Sequence, residues 1–301
     1  MLEMRRLRLL REFQLRGTLA EVARALSYSP SLISQQMAIL EREAGVRLLR
    51  RSGRRVQLTA AGELLATRAG ELLDSLERTE AELSAFSAEI AGTVRIAVFQ
   101  SIAHTVMPRA IRRLRSQHPA LRLEMVEQEP DEGLFETTTR DFDLVVAEQY
   151  PGVRRPHRIG LDHQVLGNDP LMLVTPTQGP FATRMLADLA EAPWVAEPRT
   201  TASRIWVAQK AREAGFEPDV RFETADLLTQ LRLIEAGEAV GILPQLFLVG
   251  TPANVRVVPL PHPARREVFS STRLSVTDAP SITAVRAALS SSYAEILAEG
   301  F

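Results

Sequence analysis

Apolar residues in the first sixty positions recur at helical spacing in three short runs. Leu7, Leu10 and Phe13 share one stripe, which predicts a helix from Met4 to Leu15 that stops at Gly17. Thr18-Leu19-Ala20-Glu21 has capping-box spacing, and Leu19, Val22, Ala23 and Leu26 follow on one face of a second helix. Ser27-Tyr28-Ser29 is the break. Ser29 as N-cap and Pro30 at the first helical position open a third helix that runs to about Ala44, with Ile33, Met37 and Leu40 inward. The outward side chains of that helix, Ser31, Ser34, Gln35 and Ala38, are small or amide-bearing.

From Ala60 the period becomes a heptad. Leu65, Leu72, Thr79 and Phe86 repeat every seven residues, with Ala69, Leu76, Leu83 and Ile90 four residues after each, so a helix is expected to about Ile90. Thirty residues of helix span roughly 45 Å, more than a helix folded back on a small domain uses. A self-association helix is therefore predicted, with Leu65, Leu72, Leu76, Leu83 and Phe86 at the contact. One amphipathic helix lying on its own chain is the other reading of this pattern.

After Ala91-Gly92, strand and helix patterns alternate. Strands are predicted at 93–98, 121–126, 142–147, 171–174, 194–196, 220–222, 240–243, 255–260 and 268–276, with helices at 103–117, 202–214, 226–236 and 281–297. Such alternation means an α/β fold with a largely parallel sheet.

Charge separates these three parts. The chain of 301 residues has a formal net charge of −1. Residues 1–59 hold 12 Arg and 5 Glu, net +7; residues 60–91 come to −5 and the rest to −3. The near-neutral total therefore conceals a basic head, which suits a polyanionic partner. Lys210 is the single lysine; arginine is abundant throughout, so its abundance locates no site. Cysteine is absent, which excludes disulfides, thiolate metal sites and a catalytic thiol. No run reaches the ~18 apolar residues of a membrane span, and a cytoplasmic protein is expected.

Two short helices, a three-residue turn and a neutral, hydrogen-bonding outer face are what a helix-turn-helix needs to enter a major groove. Gln pairs bidentately with adenine, and Ser meets base or phosphate. Arg50-Arg51-Ser52-Gly53-Arg54-Arg55 follows, a hairpin turn with four arginines around its tip. Helix and hairpin together offer base readout and phosphate anchorage.

These residues carry a resemblance. Gly17-Thr18-Leu19-Ala20-Glu21-Val22-Ala23, Ser29-Pro30-Ser31-Leu32-Ile33-Ser34-Gln35-Gln36-Met37, Gly45-Val46-Arg47-Leu48-Leu49-Arg50-Arg51 and Leu58-Thr59-Ala60-Ala61-Gly62 resemble the amino-terminal winged helix-turn-helix of LysR-type transcriptional regulators. The resemblance implies that Ser31, Ser34 and Gln35 read bases, while Gln36 and the wing Arg50, Arg51, Arg54 and Arg55 lie near phosphates. Ser29 and Pro30 open the reading helix. Pro30 stands where the family often has glutamine, and Leu49 where it has phenylalanine.

The same resemblance implies a multidomain α/β chain: a winged helix-turn-helix head at 1–59, a dimerising linker helix at 60–91, and a two-lobed periplasmic-binding-protein-like effector domain at 92–301. Lobe one is expected at about 93–165 and 264–299, lobe two at about 166–263. An open α/β sheet places ligands at the carboxyl ends of its strands, beside helix N-termini. Gln100 and Ser101, Thr200, Thr201 and Ser203, and Glu223 and Thr224 follow three such strands, and each also suits a helix cap. The expected partners are double-stranded promoter DNA, a small-molecule effector with organic acids among the candidates, and copies of the chain in a homodimer or homotetramer. RNA polymerase is a further candidate partner.

No nucleophile elbow, dinucleotide fingerprint, P-loop or zincin motif is present, so no enzyme and no cofactor is predicted. His157 and His163 find no convincing third ligand for a metal. The competing reading is a DNA-independent α/β solute-binding or enzymatic protein with an incidental helical head.

Overall fold

The computed structural model describes residues 1–53, 55–153, 158–183, 185–249, 251 and 253–298. Two compact units divide the chain, Met1–Ser87 and Ala88–Phe301.

In the first unit, α1 (Met4–Arg16), α2 (Leu19–Ala25) and α3 (Pro30–Ala44) are followed by a hairpin of β1 (Leu49–Ser52) and β2 (Arg55–Leu58), then α4 (Ala60–Ser84). Local chemistry sets the boundaries. Gly17 ends α1 at φ 81°, the Thr18 hydroxyl accepts the Glu21 amide at 3.1 Å, and the Ser29 hydroxyl accepts the Leu32 amide at 3.2 Å. Each such cap contributes about 1 kcal/mol. The core gathers Leu7, Leu10, Phe13, Val22, Ile33, Met37, Leu40 and Leu48. Gly62, in the first turn of α4, is required by close approach: a Cβ there would stand 2.2 Å from the Leu48 carbonyl oxygen.

The long helix departs from its predicted course in two ways. Its first half is not free for self-association, because Ala66 and Ala69 are buried in the head core and Leu65 packs against it. It also ends at Ser84, so Phe86 lies beyond the helix instead of on the seam. The last turn carries Glu82 and no base, and a carboxylate there opposes the negative end of the helix dipole. The Ser84 hydroxyl donates to the Ala81 carbonyl at 2.7 Å, competing with the next turn. What remains outward is Leu72, Leu76 and Leu83, exposed by 47, 44 and 65%.

The second unit is built on a mixed sheet rather than a largely parallel one. In chain order it comprises β3 (Gly92–Val98), α5 (Gln100–Gln117), β4 (Leu121–Glu127), α6 (Pro130–Thr138), β5 (Leu144–Gln149), β6 (Gln164–Pro176), β7 (Pro193–Ala196), α7 (Ala202–Glu213), β8 (Asp219–Glu223), α8 (Leu227–Glu235), β9 (Gly241–Pro244), α9 (Gln245–Leu248), β10 (Val255–Pro259), β11 (Arg265–Thr272) and α10 (Pro280–Ala298). β3 pairs in parallel with β4 and β5. The returning strand β11 then runs antiparallel between β5 and β6. β6 pairs with β11 through Pro170, and from Leu171 with β9 and β10. One 13-residue strand thus serves two sets of neighbours. β7 and β8 form a separate parallel pair.

Apolar clusters pack on both parts of the unit. Ala97, Leu134, Phe142, Val145 and Phe269 pack where α6 meets β3 and β5; Leu171, Leu173, Trp194, Trp206 and Val240 pack on the later half of β6. Each large apolar side chain removed from water contributes roughly 1.5–3 kcal/mol. Among the described residues no helix is long and apolar enough to cross a membrane.

Candidate nucleic-acid interface and ligand cleft

Helix α3 presents Ser31, Ser34, Gln35 and Ala38 to solvent, with Ile33, Met37 and Leu40 turned into the core. Ser29 and Pro30 are exposed at its start, where the Ser29 and Ser31 hydroxyls stand 3.0 Å apart. In the hairpin, Arg50 faces Gln57 and Arg51 faces Val56, and Arg50, Arg51 and Arg55 are all exposed. Arg54, predicted at the hairpin tip, lies outside the described residues. A groove of about 510 Å³ runs between α3 and the hairpin, with Ser34, Ala38, Arg47, Arg50 and Arg51 among its walls.

Glu41 is the one acid on this side of α3, and it has another task. Its carboxylate accepts the Leu48 and Leu49 amides at 2.8 and 3.0 Å, fixing the hairpin strand to the helix. Gln36 is held inward: its side-chain carbonyl accepts from Arg6 at 3.3 Å, and Arg6 also pairs with Glu43 at 2.6 Å. That hydrogen bond raises the Arg6 guanidinium and lowers the Glu43 carboxyl. The surface left over is small hydroxyls and one free amide flanked by guanidinium groups, which suits a major groove and its phosphates.

In the second unit the predicted cleft residues sort into three groups. Gln100 opens α5 and reaches the start of α8: its amide donates to Asp226 at 2.8 Å, and its carbonyl accepts the Leu227 amide at 2.7 Å. Thr224 joins this group, its hydroxyl accepting the Asp226 amide at 3.1 Å. The Asp226 carboxyl is held low by hydrogen bonds from Thr229 and Gln100.

Thr201 caps α7 by accepting the Arg204 amide at 3.2 Å, Thr200 beside it is exposed, and Arg204 lies 3.6 Å from Glu223. Ser203 is buried, with its hydroxyl on Tyr150. Ser101 stands apart. It is fully buried, and its hydroxyl accepts from Arg266 at 2.6 Å.

Arg266 organises a site that helix and strand periodicity gave no means to see. Its Nε donates to Asp169 at 2.9 Å, its Nη1 to Glu148 and its Nη2 to Ser101, while the guanidinium lies 5.0 Å over the Phe99 ring. Asp169 also accepts the Leu246 amide at 2.8 Å. Burial would lower the Arg266 guanidinium, but Glu148 and Asp169 hold it well above its ordinary value. Burial raises the Asp169 carboxyl despite that partner.

Nearby Glu197, at the end of β7, is pushed up to about 8 by burial and then by the charges of Glu148 and Glu129. The sequence signal for this network was charge at strand positions: Glu148 and Asp169 interrupt otherwise apolar or neutral runs, whereas Arg266 is one of three successive charged residues with Arg265 and Glu267 and does not stand out. His163 meets Glu267 at 2.8 Å and stacks on Phe269; His157 lies outside the described residues.

Comparison with known proteins places both units. Residues 4–63 match the model of the bacterial regulatory helix-turn-helix protein, lysR family, and residues 87–293 match the LysR substrate binding domain. The chain is 27% identical over 267 residues to the transcriptional dual regulator GltC of Bacillus subtilis, covering 87% of each. Among solved structures, a full-length OxyR of Pseudomonas aeruginosa matches with TM-score 0.69 at 18% identity, covering 96% of this chain and 95% of that one. Full-length CbnR complexed with target DNA matches with TM-score 0.53 at 22% identity, covering 96% and 100%. At such identities these two likenesses speak for the fold.

Proposed function

The chain belongs to the LysR family of bacterial helix-turn-helix regulators, and from that premise we propose how its own residues do the work. It is a DNA-binding transcription regulator with an effector-binding unit. Ser31, Ser34 and Gln35 read base edges, with Ser29 and Pro30 at the entry of the helix. Arg50, Arg51 and Arg55 anchor phosphates beside them. Gln36, tied to Arg6, supports the helix more than it touches DNA. The observation that carries this reading is the exposed, acid-free outer face of α3 next to exposed hairpin arginines, with Glu41 spent on the hairpin backbone.

Paired copies suit an interrupted palindrome, because two recognition helices then enter successive major grooves. Leu72, Leu76 and Leu83, the exposed apolar residues on the later half of α4, supply the dimer contact. The dimer assembles further into a tetramer, and the chain works in the cytoplasm, where promoter DNA is. Effector binding falls to the strand ends of the second unit, taken as two lobes at 93–165 with 264–299 and at 166–263. Gln100, Thr200, Thr201, Glu223 and Thr224 are its accessible polar groups, while Ser101 and Ser203 act from behind.

The cations there are already engaged: Arg266 serves Asp169, Glu148 and Ser101, and Arg204 faces Glu223 at 3.6 Å, while Glu197, raised to about 8, offers a protonated carboxyl instead of a charge. A ligand alters DNA occupancy only through different affinity for the two arrangements of the subunits, so effector and DNA affinities are coupled reciprocally.

A DNA-independent α/β protein with an incidental head would not explain why both units match models of one family. Footprinting on the DNA upstream of the chain's own gene tests the reading. Protection of an interrupted palindrome that changes when a metabolite is added is the expected result, and equal retention of every duplex would overturn it.

A further inference from the structure

Helix α5 carries a second feature, away from the strand ends. Between Ile90 and Leu123 the sequence holds six arginines and no acid, although the second unit as a whole is net acidic. Three of these, Arg109, Arg112 and Arg113, fall at i, i+3 and i+4, so they share one face of α5 with Cβ atoms about 5–6 Å apart. Like charges at this spacing destabilise a helix unless something answers them. Glu295 of α10 answers Arg113. Arg112 is exposed and has no hydrogen-bond or ion-pair partner among the described residues.

These arginines line a groove of about 960 Å³. Ser116 and Gln117 extend its polar wall by another turn, and Val249 and Ile296 give it an apolar side. The groove's lining begins at His104, four residues or roughly 6 Å along α5 from Gln100, and includes none of Gln100, Ser101, Thr200, Thr201, Ser203, Glu223 or Thr224, so it is separate from the strand-end cleft.

We propose that this groove is a second ligand site, which takes a small, multiply charged anion of the phosphorylated-metabolite class. The volume suits a molecule of sugar-phosphate or nucleotide size. The planar fork of exposed Arg112 matches phosphate oxygens, and with Arg109 and the Glu295-held Arg113 on the same face it makes a row wide enough for two phosphate groups held side by side. A single carboxylate or orthophosphate engages only part of the row.

The test is calorimetric titration of the full-length protein with inorganic pyrophosphate and, separately, orthophosphate at constant ionic strength. Saturable pyrophosphate binding is expected, at least about tenfold tighter than orthophosphate. Arg112→Ala, which removes an exposed side chain without a partner, weakens it about tenfold, the loss of one charge-assisted contact. Glu295→Gln, which releases Arg113, tightens it. Arg50→Ala with Arg51→Ala in the DNA-binding unit leaves it unchanged. No saturable binding, equal binding in Arg112→Ala, or loss of binding in the Arg50/Arg51 variant would overturn the proposal.

Discussion

Arg266 and Asp169 stand directly opposite each other in the β11–β6 ladder, and the guanidinium Nε donates to the carboxylate at 2.9 Å with both side chains almost wholly removed from water. The pair sits two residues before β6 leaves β11 for β9 and β10. Removing one partner of a buried pair leaves an uncompensated charge, which costs about 3–5 kcal/mol. Arg266→Ala is expected to lose that much, since it strands Asp169 and Glu148 together. Both tryptophans, Trp194 and Trp206, lie in this unit, so their fluorescence during urea unfolding reports it selectively. An unchanged midpoint would refute the structural role.

On the DNA side, helix and hairpin are expected to fail differently. Gln35→Ala weakens binding to the true site by about 1–3 kcal/mol and leaves random duplex nearly unaffected. Arg51→Ala weakens both and reduces the salt slope by about one. Fluorescence anisotropy across a salt series measures each quantity. Equal losses on both duplexes for Gln35→Ala would mean that α3 is not the reading helix.

Self-association should depend on the outer half of α4. Leu72→Glu with Leu76→Glu places carboxylates at exposed positions outside the head core, so the fold is kept while the apolar contact is lost. Light scattering is expected to give the monomer mass. Leu65→Glu serves as the contrast: Leu65 packs on the head core, and its replacement lowers head stability. Retention of the parent mass by the double variant would place the interface elsewhere.

Glu197 makes stability depend on pH in an unusual sense for a carboxylate. Folding lifts it from an ordinary 4.5 to about 8, through burial and the charges of Glu148 and Glu129. Between those values the folded chain keeps a proton that the unfolded chain has released. Stability therefore falls as pH rises through that window and is level above it. The span is on the order of 2–4 kcal/mol, and Glu197→Gln removes it. Urea midpoints at several pH values, compared between the parent and Glu197→Gln, check this; parallel profiles would exclude Glu197 as the source.

Legibility in the sequence followed how local each cause was. Thr18, Ser29 and Thr59 cap the helices they precede, because a cap needs only the next three residues. The α3 face was likewise readable, since its exposure follows from Ile33, Met37 and Leu40 facing inward. α6 opens with a helix-start signal, Pro130 followed by Asp131 and Glu132, but its nine residues hold too few apolar positions to set a period. The heptad on α4 was real as a pattern, but the pattern does not say which neighbour covers it. Leu65 and Ala69 went to the head, and Leu72, Leu76 and Leu83 stayed outside.

By itself the sequence determined the helix-turn-helix, its wing, the alternation of the second unit and the separation of charge between head, helix and sensor. These depend on residues close in the chain and on side-chain periods that each element carries with it. Only the tertiary structure decided that the sheet is mixed, that Gln36 is held by Arg6, that Gln100 joins the starts of α5 and α8, and that Arg266 gathers Ser101, Glu148 and Asp169 from three other elements. A buried charge must find its counter-charge wherever the fold brings one, and 97 residues separate Asp169 from Arg266. Periodicity carries no record of that meeting.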